Sequence, residues 1–177
     1  MADWLRSRFG AEITWLPFDL HPEYPPEGIP RQQLIDRYGP RMTDHVRTFF
    51  VRAGLKYNPH PEVVPNSKLA LRLTELARDR GLHEPVHDRL MDAYWTEGRN
   101  IGDPETLREL AAGAGLDDAE SVFEGDAYAD RVTASTAQAQ RLGIHAIPAF
   151  VVDSKVLILG AQPRQVFEQA FDRLNGG

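Results

Sequence analysis

The chain has 177 residues, of which 42% are hydrophobic and 26% charged, a balance typical of a globular protein with a sizeable core. The 20 basic and 26 acidic residues give a net charge of −6 at pH 7, which argues against general nucleic-acid or anionic-membrane binding. No apolar run approaches the ~18 residues that cross a bilayer, and the first residues do not resemble a signal peptide. A cytoplasmic location is therefore expected.

The sequence contains no cysteine. A disulfide, a thiolate nucleophile and a cysteine-ligated zinc ion are therefore all excluded for this chain. Thiol–disulfide chemistry by its own side chains is excluded as well.

The first 30 residues predict a helix end, a strand and a loop. Residues Trp4–Phe9 have helical spacing, and Gly10 is a typical residue to follow a helix. Ala11–Leu16 alternates and is rich in strand-forming residues, which predicts a β-strand. His21–Pro30 holds four prolines and a glycine, and this composition predicts an extended loop.

Helical patterns dominate the next hundred or so residues. Asn66 is a suitable N-cap for a helix that ends near Gly81. Pro85 predicts the start of the next helix, and Asp103 followed by proline predicts the cap of another. A long helix is predicted over about 126–142.

The end of the chain changes character. Ala149–Val152 and Lys155–Leu159 are two runs rich in strand-forming residues, and Asp153-Ser154 separates them at the spacing of a hairpin. Gly160–Pro163 then opens a last helix with an apolar stripe. Strands at both ends with helices between them indicate one sheet interrupted by an all-α insertion.

The sequence His83-Glu84-Pro85-Val86-His87 matches the H-E-x-x-H zinc motif of metalloproteases. That chemistry needs both imidazoles on one face of a continuous helix. Pro85 favours the first position of a helix, which would leave His83 in the preceding loop. Two solvated histidines are the favoured interpretation, and no metal site is predicted.

Pro148 stands at the very start of a buried-looking strand, a position where proline is tolerated at a strand entry or special turn. The Ile147–Pro148 bond is therefore a candidate cis peptide.

Four segments carry a family resemblance. They are GIHAIPAFVVDSKVLILGAQPRQVFEQAF, WLPFDLHP, PNSKLALRLTELARDRG and DRLMDAYWTEGRNIGDPETLRELAAGAGLD. The first resembles the closing segment of the DsbA-like thioredoxin superfamily in its FrnE-type branch, where a cis-proline loop, a hairpin ending in G-A-Q and a final helix follow one another. The others resemble earlier parts of that branch in the same order.

The resemblance implies an α/β fold, with a thioredoxin-like sheet truncated at its N-terminus and an all-α insertion domain. Residues 1–30 and 143–177 would form the thioredoxin-like core. Residues 31–142 would form the helical insertion, whose last helix leads back to the core.

The chain departs from the family at its beginning, which resembles the back half of the first helix. The first strand and the C-x-x-C motif are missing, so the catalytic residues are unknown. The leading interpretation is a DsbA/FrnE-type thiol–disulfide oxidoreductase without its catalytic cysteines. A glutathione-dependent isomerase of the 2-hydroxychromene-2-carboxylate type, related to kappa-class transferases, is one alternative, and a non-catalytic peptide- or ligand-binding module is another.

The resemblance also implies a binding site. Ile147 and Pro148 would offer backbone hydrogen bonds to an extended thiol or disulfide peptide, or to glutathione, as a short added strand. Ala161 and Gln162, at the predicted start of the last helix, would offer N–H groups to a carboxylate. Asn66 would border the site, although a plain N-cap is the simpler interpretation. No cofactor is expected, with glutathione as a co-substrate at most.

The missing strand would lie between Ala11–Leu16 and Ala149–Val152 in the family's sheet. Its absence leaves two rows of unpaired backbone groups, and exposed sheet edges recruit partners. A homo-oligomer formed through this open edge is therefore a further expectation.

Overall fold

The structure is a computed structural model that describes residues 1–176, apart from the side chains of residues 40, 42 and 175. The helices are α1 Ala2–Phe9, α2 Arg31–Tyr38, α3 Pro40–Arg52, α4 Lys68–Asp79, α5 His83–Trp95, α6 Pro104–Gly113, α7 Glu120–Phe123, α8 Ala129–Arg141 and α9 Arg164–Asn175. The strands are β1 Ile29–Pro30, β2 Val63–Val64, β3 Ala149–Val152 and β4 Val156–Leu159. None of the helices in the described chain is long and apolar enough to span a bilayer.

The chain divides into two compact units. Unit 1 consists of Met1–Leu20 together with Ser135 to the end of the described chain, and unit 2 consists of His21–Ala134. These boundaries differ by several residues from the predicted 1–30, 31–142 and 143–177, which remain a prediction.

Unit 1 is built around α1, the hairpin β3–β4 and α9. Phe167 of α9 is fully buried and packs edge-on against Phe150 of β3, with ring centroids 4.9 Å apart. Phe9 and Phe171 stack at 4.1 Å, which joins the end of α1 to α9. Leu5, on the buried face of α1, completes this core. The apolar positions at helical spacing in α9 therefore have the role that the sequence predicts.

The hairpin pairs β3 and β4 antiparallel, with Ala149 opposite Leu159 and Val152 opposite Val156. Asp153 and Ser154 both have positive φ, as a tight connection between strands requires. The hairpin predicted from the sequence is thus present, one residue shorter at the start of its second strand.

The predicted strand at Ala11–Leu16 is wrong, because no strand is assigned there. Ala11 and Ile13 nevertheless pack against the unit 1 core, whereas Leu16 is 67% exposed. The alternating pattern is satisfied by one-sided packing, but a strand also needs a hydrogen-bonded neighbour, and none of the described segments supplies one.

Unit 2 is helical, and its core lies where α4, α5, α6 and α7 pack together. Asp103 caps α6 as predicted, since its Oδ2 accepts a 2.8 Å hydrogen bond from the Thr106 N–H. A short sheet of β1 and β2, which the sequence does not predict, pairs Ile29 with Val64. Gly28 precedes it with φ +80°, and a Cβ there would lie 2.4 Å from the Val64 carbonyl oxygen. Only glycine fits this approach.

Two helix starts differ from the prediction. α5 begins at His83 rather than at Pro85, so the proline occupies the third position of the helix. The N–H groups of the first turn have no partner within the helix, so proline is tolerated there too. α9 begins at Arg164, after Pro163, rather than at Ala161.

Candidate functional site

The segment His145–Pro148 is an exposed loop that leads into β3. Its beginning is fixed by Ile144, which is buried and donates its N–H to the Ala139 carbonyl oxygen at 3.0 Å. Its end is fixed by Pro148, whose carbonyl oxygen accepts a 2.8 Å hydrogen bond from the Gly160 N–H. The Ile147–Pro148 peptide bond is cis, and the residue Ile147 is 54% exposed. The loop is therefore anchored at both ends and open to solvent between them.

The outer edge of β3 continues from this loop. The Gly160–Pro148 bond sets the register, so Phe150 and Val152 exchange hydrogen bonds with β4. The backbone groups of Ala149 and Val151 then point away from β4. No backbone hydrogen bond joins them to another described segment. This edge can accept an extended chain.

The structure changes the interpretation of Ala161 and Gln162. Both lie in the loop before α9, so they are not the start of that helix. The Gln162 N–H donates to the Gly160 carbonyl oxygen at 2.9 Å, and the Gln162 side chain donates to the Leu159 carbonyl oxygen at 2.8 Å. The prediction of free helix-start N–H groups at these residues is therefore wrong, because the helix begins after Pro163. Their contact with a substrate stays a prediction.

Asn66 belongs to unit 2, whereas the other predicted site residues belong to unit 1. Its side chain is buried and accepts a 2.9 Å hydrogen bond from the Lys68 N–H. It also donates to the carbonyl oxygens of Tyr24 at 2.7 Å and Pro25 at 3.3 Å. These bonds connect the first turn of α4 to the loop before β1. The residue next to it, Ser67, is the formal N-cap, but Asn66 performs the capping that the sequence indicates.

The two histidines of the H-E-x-x-H motif lie on one helix, contrary to the prediction that His83 would precede it. Their rings are nearly parallel, with centroids 5.7 Å apart. Partial burial lowers the pKa of His83, and the positive charge of Arg78 adds to this effect. Within the described residues, no group of three or more His, Cys, Asp or Glu side chains is placed to hold a metal ion. A zinc site needs a third ligand beside the two histidines, and the part of the chain that the structure describes places none there.

Gly160 is the site residue that the sequence reasoning did not single out. Its N–H holds the carbonyl group of Pro148, and its φ of +79° places it at the turn out of β4. The signal for it is a glycine directly after an apolar strand, which often marks a left-handed turn residue.

Comparison with known proteins agrees with this architecture. Residues 2–172 match the DSBA-like thioredoxin domain. The crystal structure of a probable DsbA oxidoreductase, SCO1869 from Streptomyces coelicolor, is similar with a TM-score of 0.86 at 32% sequence identity, and the match covers 96% of this chain and 78% of that one. The uncharacterized protein YwbO of Bacillus subtilis is 29% identical over 163 residues, which cover 90% of this chain and 80% of YwbO.

The chain belongs to the DsbA-like thioredoxin domain family. Its fold is α/β, with small sheets and a helical insertion, and it has no cysteine with which to form the family's C-x-x-C motif.

Proposed function

We propose that this chain is the substrate-binding part of a FrnE-type, DsbA-like thiol–disulfide oxidoreductase fold. It binds an extended peptide that carries a thiol or disulfide, and it does not exchange thiols itself. The observation that carries the proposal is the exposed loop His145–Pro148, which leads directly into the unpaired outer edge of β3 in a chain without cysteine.

The geometry suits the addition of a short strand. The backbone N–H and C=O groups of Ala149 and Val151 face outward, where an added antiparallel or parallel strand can form hydrogen bonds with them. Main-chain hydrogen bonds of this kind supply the affinity of β-augmentation. The exposed Ile147 side chain offers apolar contact at the entry of this edge. The anchors at Ile144 and Pro148 limit the entropy that the loop loses when a peptide binds.

The chemistry of exchange requires a thiolate that attacks a disulfide, and this chain has no sulfur nucleophile. Catalysis in an intact relative therefore rests on cysteines that this chain does not contain. Glutathione is itself a short, extended, cysteine-containing peptide, and it is the small-molecule ligand of this proposal. A cytoplasmic location is part of the proposal and is compatible with a protein that forms no disulfide.

The test is a titration of the ¹⁵N-labelled protein followed by amide chemical shifts. The ligands are a hexapeptide whose central cysteine is capped as a methyl disulfide, the same peptide with serine in its place, and S-methylglutathione. We expect the largest shifts at Ile147, Ala149 and Val151, with the disulfide peptide binding more tightly than the serine peptide.

The variant Ile147→Asp should weaken binding, whereas Leu142→Asp should not. Both residues are about equally exposed in unit 1, at 54% and 52%, which makes Leu142 a matched control. Shifts confined to other residues, or equal effects of the two variants, would refute the proposal. A concentration-dependent dimer that protects the same amides would show instead that a second copy occupies this edge.

A further inference from the structure

The opposite side of the hairpin carries a groove that the proposed function does not use. It lies between β4 and α9 and has a volume of about 260 Å³. Its apolar part is formed by Val156, Ile158, Val166 and Ala170, with Gln162 and Arg173 among the polar residues. Small-molecule sites usually measure ~300–1,000 Å³, so this groove better suits one or two apolar side chains.

The outer edge of β4 forms one wall of the groove. In the register of the hairpin, the backbone groups of Leu157 and Leu159 point away from β3. The carbonyl oxygen of Leu159 accepts a 2.8 Å hydrogen bond from the side-chain amide of Gln162. A side-chain amide thus stands where the backbone amide of an added strand would bind, and it covers one end of an edge that is otherwise open.

A positive charge lies at the other end of the groove. α9 follows β4 after a connection of four residues and lines the same groove, so it runs back along the strand. Gln162 is therefore near the Leu159 end, and Arg173, which lies roughly 14 Å along α9 from its first residue, is near the Val156 end. Within the described part of the chain, Arg173 makes no ion pair.

These features define a direction. A strand that pairs antiparallel with β4 runs from the Leu159 end towards the Val156 end, so its C-terminus arrives at Arg173. A guanidinium group binds a carboxylate with two parallel hydrogen bonds, which a flexible ammonium group does not match. Apolar side chains at alternate positions of the strand would lie over the apolar floor of the groove.

We propose that the β4–α9 groove binds the C-terminal end of another polypeptide as an antiparallel strand, with its terminal carboxylate on Arg173. The side chain of Gln162 leaves the Leu159 carbonyl when the strand binds, and a backbone amide replaces it. This site is on the edge of the hairpin opposite to the loop His145–Pro148, so it neither needs nor contradicts the proposed function.

The test is fluorescence anisotropy with the full chain and a labelled hexapeptide that ends in Val-Ser-Val with a free carboxylate. We expect the C-terminal amide of the same peptide to bind at least ~10-fold more weakly, the loss expected when a charge-assisted hydrogen-bonded pair is removed. Arg173→Gln should reduce the affinity for the peptide with the free carboxylate by the same factor and leave the affinity for the amidated peptide unchanged. Arg141→Gln, an exposed arginine outside the groove, is the matched control and should have no effect.

Two further peptides complete the design without altering the protein. N-methylation of the serine amide removes the hydrogen bond to Leu157 of β4 and should weaken binding by a similar factor. An amidated peptide with an internal aspartate should bind no better than the plain amide. Three results would overturn the proposal. They are equal binding of the carboxylate and amide peptides, an affinity that Arg173→Gln does not change, and a dimer that these peptides do not dissociate. The variants Ile147→Asp and Arg173→Gln separate this site from the proposed function, because each should affect only one of the two peptide sites.

Discussion

Replacing Asn66 by alanine separates a structural role for this residue from a ligand-binding one. Its side chain accepts from the Lys68 N–H and donates to the buried Tyr24 carbonyl, and both bonds are shorter than 3.0 Å. Loss of the cap costs about 1 kcal/mol. A buried carbonyl left without its donor costs about 1–3 kcal/mol more, while water can replace the longer bond at the exposed Pro25. We expect Asn66→Ala to lower the free energy of unfolding by about 2–4 kcal/mol.

The assay is equilibrium urea unfolding followed by far-ultraviolet circular dichroism. Asn58→Ala is the matched control, because that exposed side chain makes a single 3.3 Å bond to the Thr96 carbonyl, and it should cost less than about 1 kcal/mol. Asn66→Asp keeps the acceptor for Lys68 but faces the Tyr24 carbonyl with a negative charge. It should be at least as destabilised as the alanine variant at neutral pH. If Asn66→Ala changed the free energy of unfolding by less than about 0.5 kcal/mol but weakened binding of the disulfide peptide, the structural role would be refuted.

Three other outcomes are expected. The purified chain should show no reduction of insulin disulfides above buffer, because methionine cannot replace a thiolate in exchange, and activity that stays with the intact protein through purification would contradict this. Phe167→Ala removes the fully buried ring of unit 1 and should cost about 3–5 kcal/mol, measured by urea unfolding followed by circular dichroism; a loss below about 1 kcal/mol would show that this core is not packed as described. Burial lowers the pKa of His83 in the folded state, so the unfolded state binds more protons just below its ordinary pKa. This contribution to stability is therefore fully present above about pH 6.5 and is lost as the pH falls from that value through the lower pKa of the folded state. His83→Gln should therefore flatten the slope of unfolding free energy against pH in that range; a slope equal to that of the unsubstituted chain would contradict the assignment.

Local signals in the sequence predicted much of the fold because they act within a few residues. Gly10 ends α1 with φ +64°, Asp103 caps α6, and the short connection after Val152 closes the hairpin. The segment Ala11–Leu16 shows the limit of such signals. Its alternation correctly places Ala11 and Ile13 on the core, but pairing depends on a neighbour that no local pattern reveals.

The site was predictable to a similar degree. The exposed loop at Ile147 and Pro148 follows from the resemblance and from a proline at a strand entry. The position of Gln162 does not follow from the sequence. Pro163 occupies the N-cap, so α9 starts later than predicted, and the side chain of Gln162 turns back to the Leu159 carbonyl of β4. The sequence does not predict the small sheet β1–β2, because two-residue strands leave no periodic pattern. The need for glycine at Gly28 becomes clear from the close contact in the structure.

The two parts of unit 1 are joined across more than a hundred residues of chain. The Asp19 N–H donates to the Thr136 hydroxyl oxygen at 2.9 Å, and the Ser135 hydroxyl donates to the Pro17 carbonyl oxygen at 2.7 Å. If unit 2 were an unfolded loop, closing it to form these bonds would cost about 4 kcal/mol of chain entropy. If unit 2 is already folded, the two segments of unit 1 are no longer connected by a long flexible loop, because the folded unit fixes the distance between its ends. We therefore expect a folded unit 2 to stabilise unit 1, because it removes most of this entropic cost.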